Sequence, residues 1–433
     1  MNMSKKIYAV IAVVIVVCLG FFLSHQGAEE ETRLNVMFGG VGYEFEAINK
    51  QIDVWKEASG ENVQVNAAVR GTDSRLQQYL PHLQTSAMDI YQVDVGWAPM
   101  IADVMEDLHD HFTKEELAVF HPGLLRAGTV NGKLVFLPLY VQWLRLYVRT
   151  DLLDKYQLPM PKTWEDIQKC SAIVMDKENA LRSDKSPFWG IVFMGQPYEG
   201  AACILLSAMA SHTKGHNIFD ASGDLAVNSE GNAHAWSMIY SWLNGDANYP
   251  PIVQKGVLSY TQESARQAFQ RGDALFMLNW PYAEELLDAP DSPVKGKFIV
   301  VELPAQKGME SSPVLGGAAV AVSVYSQHKK EAVNLLKHLL SFEEQRMRAE
   351  RYNYISGRHD VLIDEQLAKK RPCMKSYARA WGNAIARPAS RFKKWSAAGF
   401  KLGSSAHTYW QGKSPDPVPF LKQLHSELSN MLV

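Results

Sequence analysis

The chain has 433 residues, of which 47% are hydrophobic and 21% are charged, a composition typical of a globular protein with enough apolar material for two or three folding units. Its formal net charge is only −2 at pH 7, which excludes a basic groove for nucleic acid and a surface for acidic membranes as the main working surface.

The N-terminus carries an export signature. Lys5 and Lys6 precede an unbroken apolar run over residues 7–23, after which polar residues return. The run is longer than the core of a usual signal peptide and slightly shorter than a comfortable membrane helix. Residues 1–28 are therefore predicted to be either a cleaved export signal or a retained N-terminal anchor. The rest of the chain is expected in the periplasm or on the outer face of the cytoplasmic membrane.

Strands and helices alternate through the next part of the chain. The apolar residues Ile48, Ile52 and Trp55, spaced close to four apart, predict a helix, and alternation over 63–67 predicts a strand. The predicted order is strand 34–40, a helix that includes 48–55, strand 63–67, helix 75–83 and strand 88–95. This order predicts an α/β domain with a largely parallel sheet, in which ligands lie at the carboxyl ends of the strands.

Later segments continue this alternation. Asn131-Gly132 predicts a hairpin turn, and Thr163 is the predicted N-cap of a new helix. Further strands are predicted at 134–137, 139–148, 298–304 and 316–323, and further helices at 151–156 and 329–340. The sequence has no internal repeat and no low-complexity linker, which favours two lobes built from discontinuous segments.

The cysteines do not indicate a metal or redox site. Cys18 lies in the export segment, and Cys170, Cys203 and Cys373 are far apart and form no CxxC pair. We therefore expect no metal and no cofactor. One disulfide is possible in an oxidising compartment, but the sequence does not determine the pair, and buried apolar thiols are the favoured interpretation.

Several short segments follow one another in a fixed order over roughly residues 34 to 425. They are 132–134 with 137–138, 149–156, 161–164, 188–190, 198–200, 279–282, 303–304, 316–317 and 387–388. The most specific are Asn279-Trp280-Pro281-Tyr282 and the run through Asp151-Leu152-Leu153. In order and spacing these segments resemble the extracellular solute-binding proteins of ATP-driven sugar importers, and within that family the trehalose/maltose-binding branch.

The resemblance implies an α/β fold of two lobes, the type II periplasmic-binding-protein fold, in which hinge strands join discontinuous lobes around a ligand cleft. The implied boundaries are 33–140 plus 300–340 for the first lobe and 141–299 plus 341–433 for the second. The implied chain crossings lie near 140–142, 299–301 and 341. The resemblance also implies a monomer that captures a di- or small oligosaccharide and delivers it to the membrane permease subunits of an ABC importer.

A sugar presents paired hydroxyls and a flat face of C–H groups, so its receptor needs charged or amide groups and aromatic planes. Trp280 and Tyr282 flank a proline that restricts the backbone, and the resemblance favours stacking on the ligand over ordinary core packing. Asp94 ends an apolar strand and is interpreted as a ligand contact, with an N-cap of the next helix as the alternative. Glu44 matches a family carboxylate. Glu46 is the competing assignment, and an ordinary surface acid is the other alternative.

The resemblance assigns further residues to the binding site, namely Thr72, Arg75, Tyr140, Gln142, Gly316, Gly317 and Arg387. Thr72 and Arg75 match less closely because the spacing between them differs. For Arg387, a planar guanidinium that donates to two hydroxyls is favoured over an ordinary surface arginine.

Two positions depart from the family pattern. Gln142 stands where the family commonly has an aspartate, and Ala318 stands where it often has a tryptophan. Trp143 or Phe45 is the hypothesised replacement for the missing aromatic ring. These changes are compatible with sugar binding in general, but they remove support for trehalose as the particular ligand.

Two other functions use the same residue types. An extracellular glycosidase would need two carboxylates in a cleft, which Glu44 and Asp94 could supply. A sensory receptor would bind sugar and signal through a partner without transport. The sequence contains no phosphate loop, HExxH or GxSxG motif, and the breadth of the resemblance favours a transport receptor over an enzyme.

Overall fold

The computed structural model describes residues 32–433 except 41, 60–62, 71–74, 183–186, 383 and 393. The predicted export segment 1–28 and the predicted site residue Thr72 lie outside the described residues. Within the described part of the chain, no helix combines the length and the apolar content that a membrane crossing requires.

The strands and helices alternate along most of the chain. The strands are β1 (Thr32–Gly39), β2 (Val63–Arg70), β3 (Ile90–Asp94), β4 (Thr129–Val130), β5 (Lys133–Leu134), β6 (Leu137–Trp143), β7 (Arg145–Val148), β8 (Trp189–Val192), β9 (Ala274–Asn279), β10 (Ile299–Val301) and β11 (Leu315–Val322). The first α-helices are α1 (Glu44–Ser59), α2 (Arg75–Tyr79), α3 (Ala98–Ile101), α4 (Lys114–Ala118), α5 (Pro122–Gly128), α6 (Thr150–Lys155), α7 (Trp164–Ala180), α8 (Glu199–Ala210) and α9 (Glu230–Asn244). The later ones are α10 (Gln262–Gln270), α11 (Ala283–Leu287), α12 (Lys329–Leu339), α13 (Phe342–Tyr352), α14 (His359–Leu362), α15 (Glu365–Lys370), α16 (Met374–Ala380), α17 (Trp395–Gln411) and α18 (Val418–Ser429).

Two sheets form the centres of two lobes. The first sheet has the order β2-β1-β3-β11-β6, with β1 parallel to β2 and β3, and β11 antiparallel to β3 and β6. The second has the order β10-β7-β9-β8, in which β8 and β9 are parallel. We call the parts built on these sheets the first lobe and the second lobe. The arrangement confirms the predicted α/β fold.

Local sequence signals account for several element boundaries. Asn131 and Gly132 both have positive φ, 51° and 84°, in the two-residue turn between β4 and β5. Thr163 caps α7, because its side chain accepts a hydrogen bond from the backbone N–H of Asp166 while Asp166 bonds back to the backbone of Thr163. Both features are as predicted.

The chain passes from the first sheet to the second across one residue. β6 ends at Trp143 and β7 begins at Arg145, so only Leu144 separates strands of different sheets. The single strand expected over 139–148 is therefore two strands, and the crossing lies slightly beyond the expected 140–142.

Packing differs from the expected lobe boundaries in two further places. β10 pairs with β7, with Val301 opposite Leu146, so residues 299–301 belong to the second sheet, and the chain returns to the first sheet only at β11. Helices α13 to α16 pack in the cluster around the first sheet, although 341–433 is the expected second lobe. The chain rejoins the second-lobe cluster at Ala389. A helix joins the sheet whose apolar face it covers, and chain order alone does not specify that sheet.

One apolar cluster is continuous across the two lobes. It contains Tyr140 and Tyr354 from the first lobe together with Met277 and Tyr282 from the second. Trp280 packs against this cluster and also against the separate second-lobe cluster. The two lobes are therefore in contact, and the contact includes residues of the predicted ligand cleft.

Candidate functional site

A cavity of about 90 Å³ lies between the lobes, at the carboxyl end of β3. Its lining residues are Arg75, Asp94, Tyr140, Gln142, Tyr198, Glu199, Gly200, Cys203, Gln262, Trp280, Tyr282, Gly316, Gly317, Ala318, Tyr354 and Arg387. Nine of the eleven predicted site residues are among them. The other two are Thr72, which lies outside the described residues, and Glu44, which lies behind the wall.

Trp280 presents its ring to the cavity from the end of β9. Pro281 follows it, lacks an N–H and so cannot continue the strand ladder. The side chain of Asn279 accepts a bond from the backbone N–H of Trp280 at 2.8 Å and donates to the carbonyl of Gln262 at 2.9 Å. The carbonyl of Trp280 accepts from the Tyr147 hydroxyl at 2.7 Å. These bonds hold the tryptophan backbone on both sides of the ring.

Two glycines opposite this ring are needed for close approach. A Cβ on Gly316 would lie 3.0 Å from the Trp280 ring, so this position leaves room for the indole. Gly317 has φ +131°, and a Cβ there would overlap the carbonyl oxygen of Tyr140. The pairing of β11 with β6 shifts register just beyond, between Ala318 and Ala319. The glycine pair therefore lets β6, β11 and Trp280 meet at one edge of the cavity.

A buried guanidinium links the lobes. Arg387 Nη1 donates to Glu199 Oε1 of the second lobe at 2.6 Å, and its Nη2 lies 2.6 Å from Asp94 Oδ1 of the first lobe. Trp395 Nε1 also donates to Glu199 Oε1, at 3.0 Å. Burial opposes the charged form, but the two carboxylates raise the pKa of Arg387 above its usual value. The side chain is only 2% exposed, so the surface-arginine alternative is wrong.

Asp94 faces the cavity and does not cap the next helix. Its side chain accepts from the backbone N–H of Gly96 at 2.7 Å, whereas the N-cap position of α3 is Trp97, which makes no side-chain cap bond. The Asp94 side chain is 26% exposed although it pairs with Arg387, and it lines the cavity.

Glu44 does not line the cavity but lies behind the residues that do. Its Oε1 accepts from the Tyr140 hydroxyl and from the side-chain amide of Gln92, and its Oε2 lies 3.9 Å from Arg75 Nη2. The residue is 2% exposed. Glu46, the competing assignment, pairs with Lys50 at the surface. Glu44 thus positions two lining residues, Tyr140 and Arg75.

Tyrosines supply neutral hydroxyls and ring edges around the cavity. Tyr140 and Tyr354 pack with ring centroids 4.9 Å apart. The Tyr282 hydroxyl donates to Glu263 at 2.6 Å, and the Tyr198 hydroxyl donates to Gln262 at 2.5 Å. Burial raises the pKa of Tyr140 and Tyr282 well above the usual value, so both remain protonated at neutral pH.

Sequence reasoning missed four lining residues that carry polar or aromatic groups, namely Tyr198, Glu199, Gln262 and Tyr354. Tyr198 and Glu199 lie in one of the segments that carry the family resemblance, so a signal for them was present. The hypothesised aromatic replacements are wrong. Trp143 is buried against Tyr377 in the first-lobe core, and neither Trp143 nor Phe45 lines the cavity.

The groups are arranged for binding and not for bond cleavage. Among the described residues that line the cavity, the two carboxylates Asp94 and Glu199 are both paired with Arg387, and Glu44 does not line it. Burial raises the pKa of the Cys203 thiol, which keeps it in the unreactive protonated form. Among the residues described, no group of three His, Cys, Asp or Glu side chains could hold a metal ion. Aromatic planes beside charged and amide groups suit a polyhydroxylated ligand.

The sequence profile of the bacterial extracellular solute-binding proteins matches residues 40–346 of the chain. The chain belongs to this family. A probable ABC transporter-binding protein of Deinococcus radiodurans is 31% identical, over 95% of this chain and 97% of the relative. Membership of this extracellular binding-protein family overturns the glycosidase alternative and implies export.

Solved structures of solute-binding proteins share the fold. Maltose-bound MalE3 of T. maritima is 27% identical and has a TM-score of 0.82, covering 92% of this chain and 99% of that one. The GacH receptor of Streptomyces glaucescens is 16% identical, with a TM-score of 0.78 over 93% of this chain and 99% of its own. The first likeness extends to sequence, and the second shows the fold alone. Together they confirm the predicted two-lobe fold.

Proposed function

We propose that this solute-binding protein captures a di- or small oligosaccharide outside the cytoplasmic membrane and delivers it, as a monomer, to the permease subunits of an ABC importer. The observation that carries the proposal is the cavity between the lobes, where the Trp280 ring faces a wall of arginines, carboxylates and tyrosine hydroxyls. A tryptophan plane matches the C–H face of a pyranose, and the polar groups match its hydroxyls.

The names of two relatives support a sugar of the maltose type. The T. maritima structure is described as maltose-bound, and a relative in Bacillus subtilis, 26% identical over 48% of this chain, is named a maltodextrin-binding protein. Transport is supported by the name of the Deinococcus relative. Gln142 and Ala318 replace residues common in the trehalose/maltose branch, so the pocket differs from that branch in charge and in aromatic surface.

A thermal-shift screen tests the ligand class. The chain without residues 1–28 would be heated with mono-, di- and trisaccharides, since a ligand that binds only the folded state raises the melting temperature by mass action. We expect a selective rise with at least one di- or trisaccharide, and a smaller rise with Trp280→Ala at the same concentration. Absence of a shift with every saccharide at millimolar concentration would contradict the proposal.

A fusion experiment tests the localisation. A reporter that is active only outside the cytoplasm would be joined after residue 60, behind the predicted export segment. We expect activity with the full segment and loss of activity when residues 7–23 are deleted. Activity of a cytoplasmic reporter at the same junction would overturn export.

A further inference from the structure

Arg145 is a buried cation whose hydrogen-bond donors are not all used. It is 3% exposed and is the first residue of β7, just past the crossing from the first sheet. Its Nε and Nη1 atoms are buried, and no described group accepts a hydrogen bond from either of them. The guanidinium instead lies over the ring of Tyr377, 4.9 Å from the ring centroid. This cation–π contact recovers part of the cost of burial, but it leaves buried N–H donors unpaired, which is unfavourable.

A carboxyl group lies near this cation but bonds to a different residue. Glu284 is on α11, and its Oε2 accepts a hydrogen bond from Asn353 Nδ2 at 2.7 Å. Burial raises the pKa of Glu284, while the hydrogen bond from Asn353 and the charge of Arg145 act in the opposite direction. The net change is upward, so the protonated form is more favoured here than in water.

Both contacts cross between the lobes. Arg145 belongs to the second sheet, and α11, which carries Glu284, follows β9 of the same sheet. Their partners belong to the first lobe, since Tyr377 lies in the first-lobe cluster and Asn353 ends α13. The cation and the carboxyl group of the second lobe are thus each held by the first lobe, and neither buried nitrogen of Arg145 bonds to Glu284.

The other charged and titratable groups around Glu284 come from several parts of the chain. They are Glu285 on α11, Tyr147 on β7, Arg371 and Cys373 between α15 and α16, and Tyr377 on α16. Burial raises the pKa of the thiol and of both phenols, so these three groups stay neutral near neutral pH. Glu285 forms an ion pair with Arg371, which also joins the lobes. The raised pKa of Glu284 brings its titration closer to neutral pH.

The segments that meet in this cluster also line the cavity between the lobes. Tyr282 lies two positions before Glu284, and Tyr354 directly follows Asn353. Both tyrosines are lining residues of the cavity. A change in how the lobes meet at the cluster would therefore move residues of the candidate site.

We propose that Arg145 and Glu284 form a pH-sensitive switch between two arrangements of the lobes. In the arrangement of this structure, Tyr377 and Asn353 of the first lobe hold the two groups apart. When the lobes separate at this contact, Glu284 ionises and pairs with Arg145 within the second lobe. The inference goes beyond the proposed function, because it adds a regulatory input that does not depend on which sugar binds.

The direction of the pH effect follows from the pKa of Glu284. A group whose pKa is raised in one arrangement binds its proton more tightly there, so a falling pH favours that arrangement. As the pH rises through the raised pKa, Glu284 loses its proton, and the arrangement in which Arg145 is its counterion becomes more stable. A pKa difference of one unit between the arrangements changes their ratio by about tenfold. Because both lobes line the cavity in this structure, sugar should bind more tightly at weakly acidic than at neutral pH.

Small-angle scattering of the ligand-free chain without residues 1–28 tests the switch, over a range from about pH 5.5 to about pH 8. The lobes also meet across the cavity, where Arg387 bonds a carboxylate of each lobe, so the arrangement of this structure is the compact one. We expect the wild-type radius of gyration to be smaller at the acidic end. Glu284→Gln keeps the shape of the side chain and cannot ionise, so it should stay compact over the whole range. Arg145→Met, which removes the counterion, should weaken the response to pH.

Two further variants serve as controls. Glu106→Gln removes a carboxylate that pairs with Lys329 within the first lobe, and it should respond to pH as the wild-type chain does. Glu285→Gln removes the neighbouring acid and should also keep the response. Melting temperatures at neutral pH show whether each variant is folded.

The contradicting results can be told apart from a failure of sugar binding. A wild-type radius that does not change with pH would overturn the switch. A response of Glu284→Gln equal to that of the wild-type chain would overturn the role of Glu284 in it. Both results leave the proposed function standing, because the measurement contains no sugar. Conversely, a chain that binds no saccharide could still show the pH response.

Discussion

Trp280 has two structural relationships that imply different roles. It lines the cavity between the lobes, and it also packs against apolar clusters of both lobes. If it stacks on the sugar, Trp280→Ala should weaken binding by about 2–4 kcal/mol, which is on the order of 30- to 1000-fold in affinity. Titration calorimetry measures this loss for the ligand found in the screen.

Denaturant unfolding of the same variant separates the two roles. The matched control is Trp236→Ala, because Trp236 is fully buried in the second-lobe core and does not line the cavity between the lobes. The control should lose about 3–5 kcal/mol of unfolding free energy. Trp280→Ala should lose less. Unchanged affinity with a loss as large as that of the control would make Trp280 a packing residue.

For single residues, the sequence predicted which residue types belong to the site better than it predicted how deeply each side chain is buried. Trp280 was predicted from a family motif and Asp94 from the end of a strand, and both line the cavity between the lobes. Glu44 was predicted as a contact but lies behind Tyr140, because the direction of its side chain depends on how α1 packs against the sheet. Arg387 lies 293 positions after Asp94, and no periodicity in the sequence relates them. Only the family resemblance connected the two.

Within β11, Gly317 is constrained by its backbone conformation and by its neighbour. Gly317→Ala should destabilise the fold through both effects, while Gly132→Ala isolates the first, since Gly132 has φ +84° with nothing within 4 Å of the Cβ position. We expect a loss of about 1–2 kcal/mol of unfolding free energy for Gly132→Ala. Gly317→Ala should cost about 1–3 kcal/mol more. Equal losses in denaturant titration would show that β6 moves aside without cost.

The cap of α7 supplies a test that leaves the ligand site untouched. Thr163→Ala removes the side-chain bond to the backbone N–H of Asp166 and should cost about 0.5–2 kcal/mol of unfolding free energy. Sugar affinity should not change, because no residue of α7 lines the cavity between the lobes. A change in affinity measured by calorimetry would reveal coupling between this helix and the cleft.

Elements with a strong local signal were predicted well from sequence. The Asn131-Gly132 turn and the Thr163 cap each depend on contacts within a few residues. The strand predicted over 139–148 failed because its break at Leu144 reflects a change of sheet. Local propensity is the same on both sides of that break, so tertiary pairing decides it.

For the whole molecule, the Arg387 link predicts how the lobes respond to ligand. Arg387 lies where the chain passes between the lobes and bonds Asp94 of the first lobe and Glu199 of the second. We expect opening of the cleft to break one of these two ion pairs. Sugar should favour the closed form, because only that form brings both lobes to the ligand. Small-angle scattering should therefore give a smaller radius of gyration with ligand than without it.

The variant Asp94→Asn keeps the shape of the side chain and removes its charge. Without sugar it should be more open than the wild-type chain, and its radius of gyration should be larger. Glu106→Gln is the control, because Glu106 pairs with Lys329 within the first lobe. An identical radius for wild type and Asp94→Asn, both without sugar, would show that the ion pair does not contribute to closure.

Where the chain crosses between the sheets, the number of residues between β6 and β7 matters more than which apolar residue occupies position 144. Leu144, Leu146 and Val148 lie in the second-lobe core, while Tyr147 lies in the cluster that joins the lobes. Successive strand residues point to opposite faces, so inserting or deleting one residue at Leu144 would exchange the two faces of β7. Tyr147 would then turn into the second-lobe core, and Leu146 would leave it. The fold should therefore not tolerate an insertion or deletion of one residue at this position, while it should tolerate the exchange of Leu144 for another apolar residue.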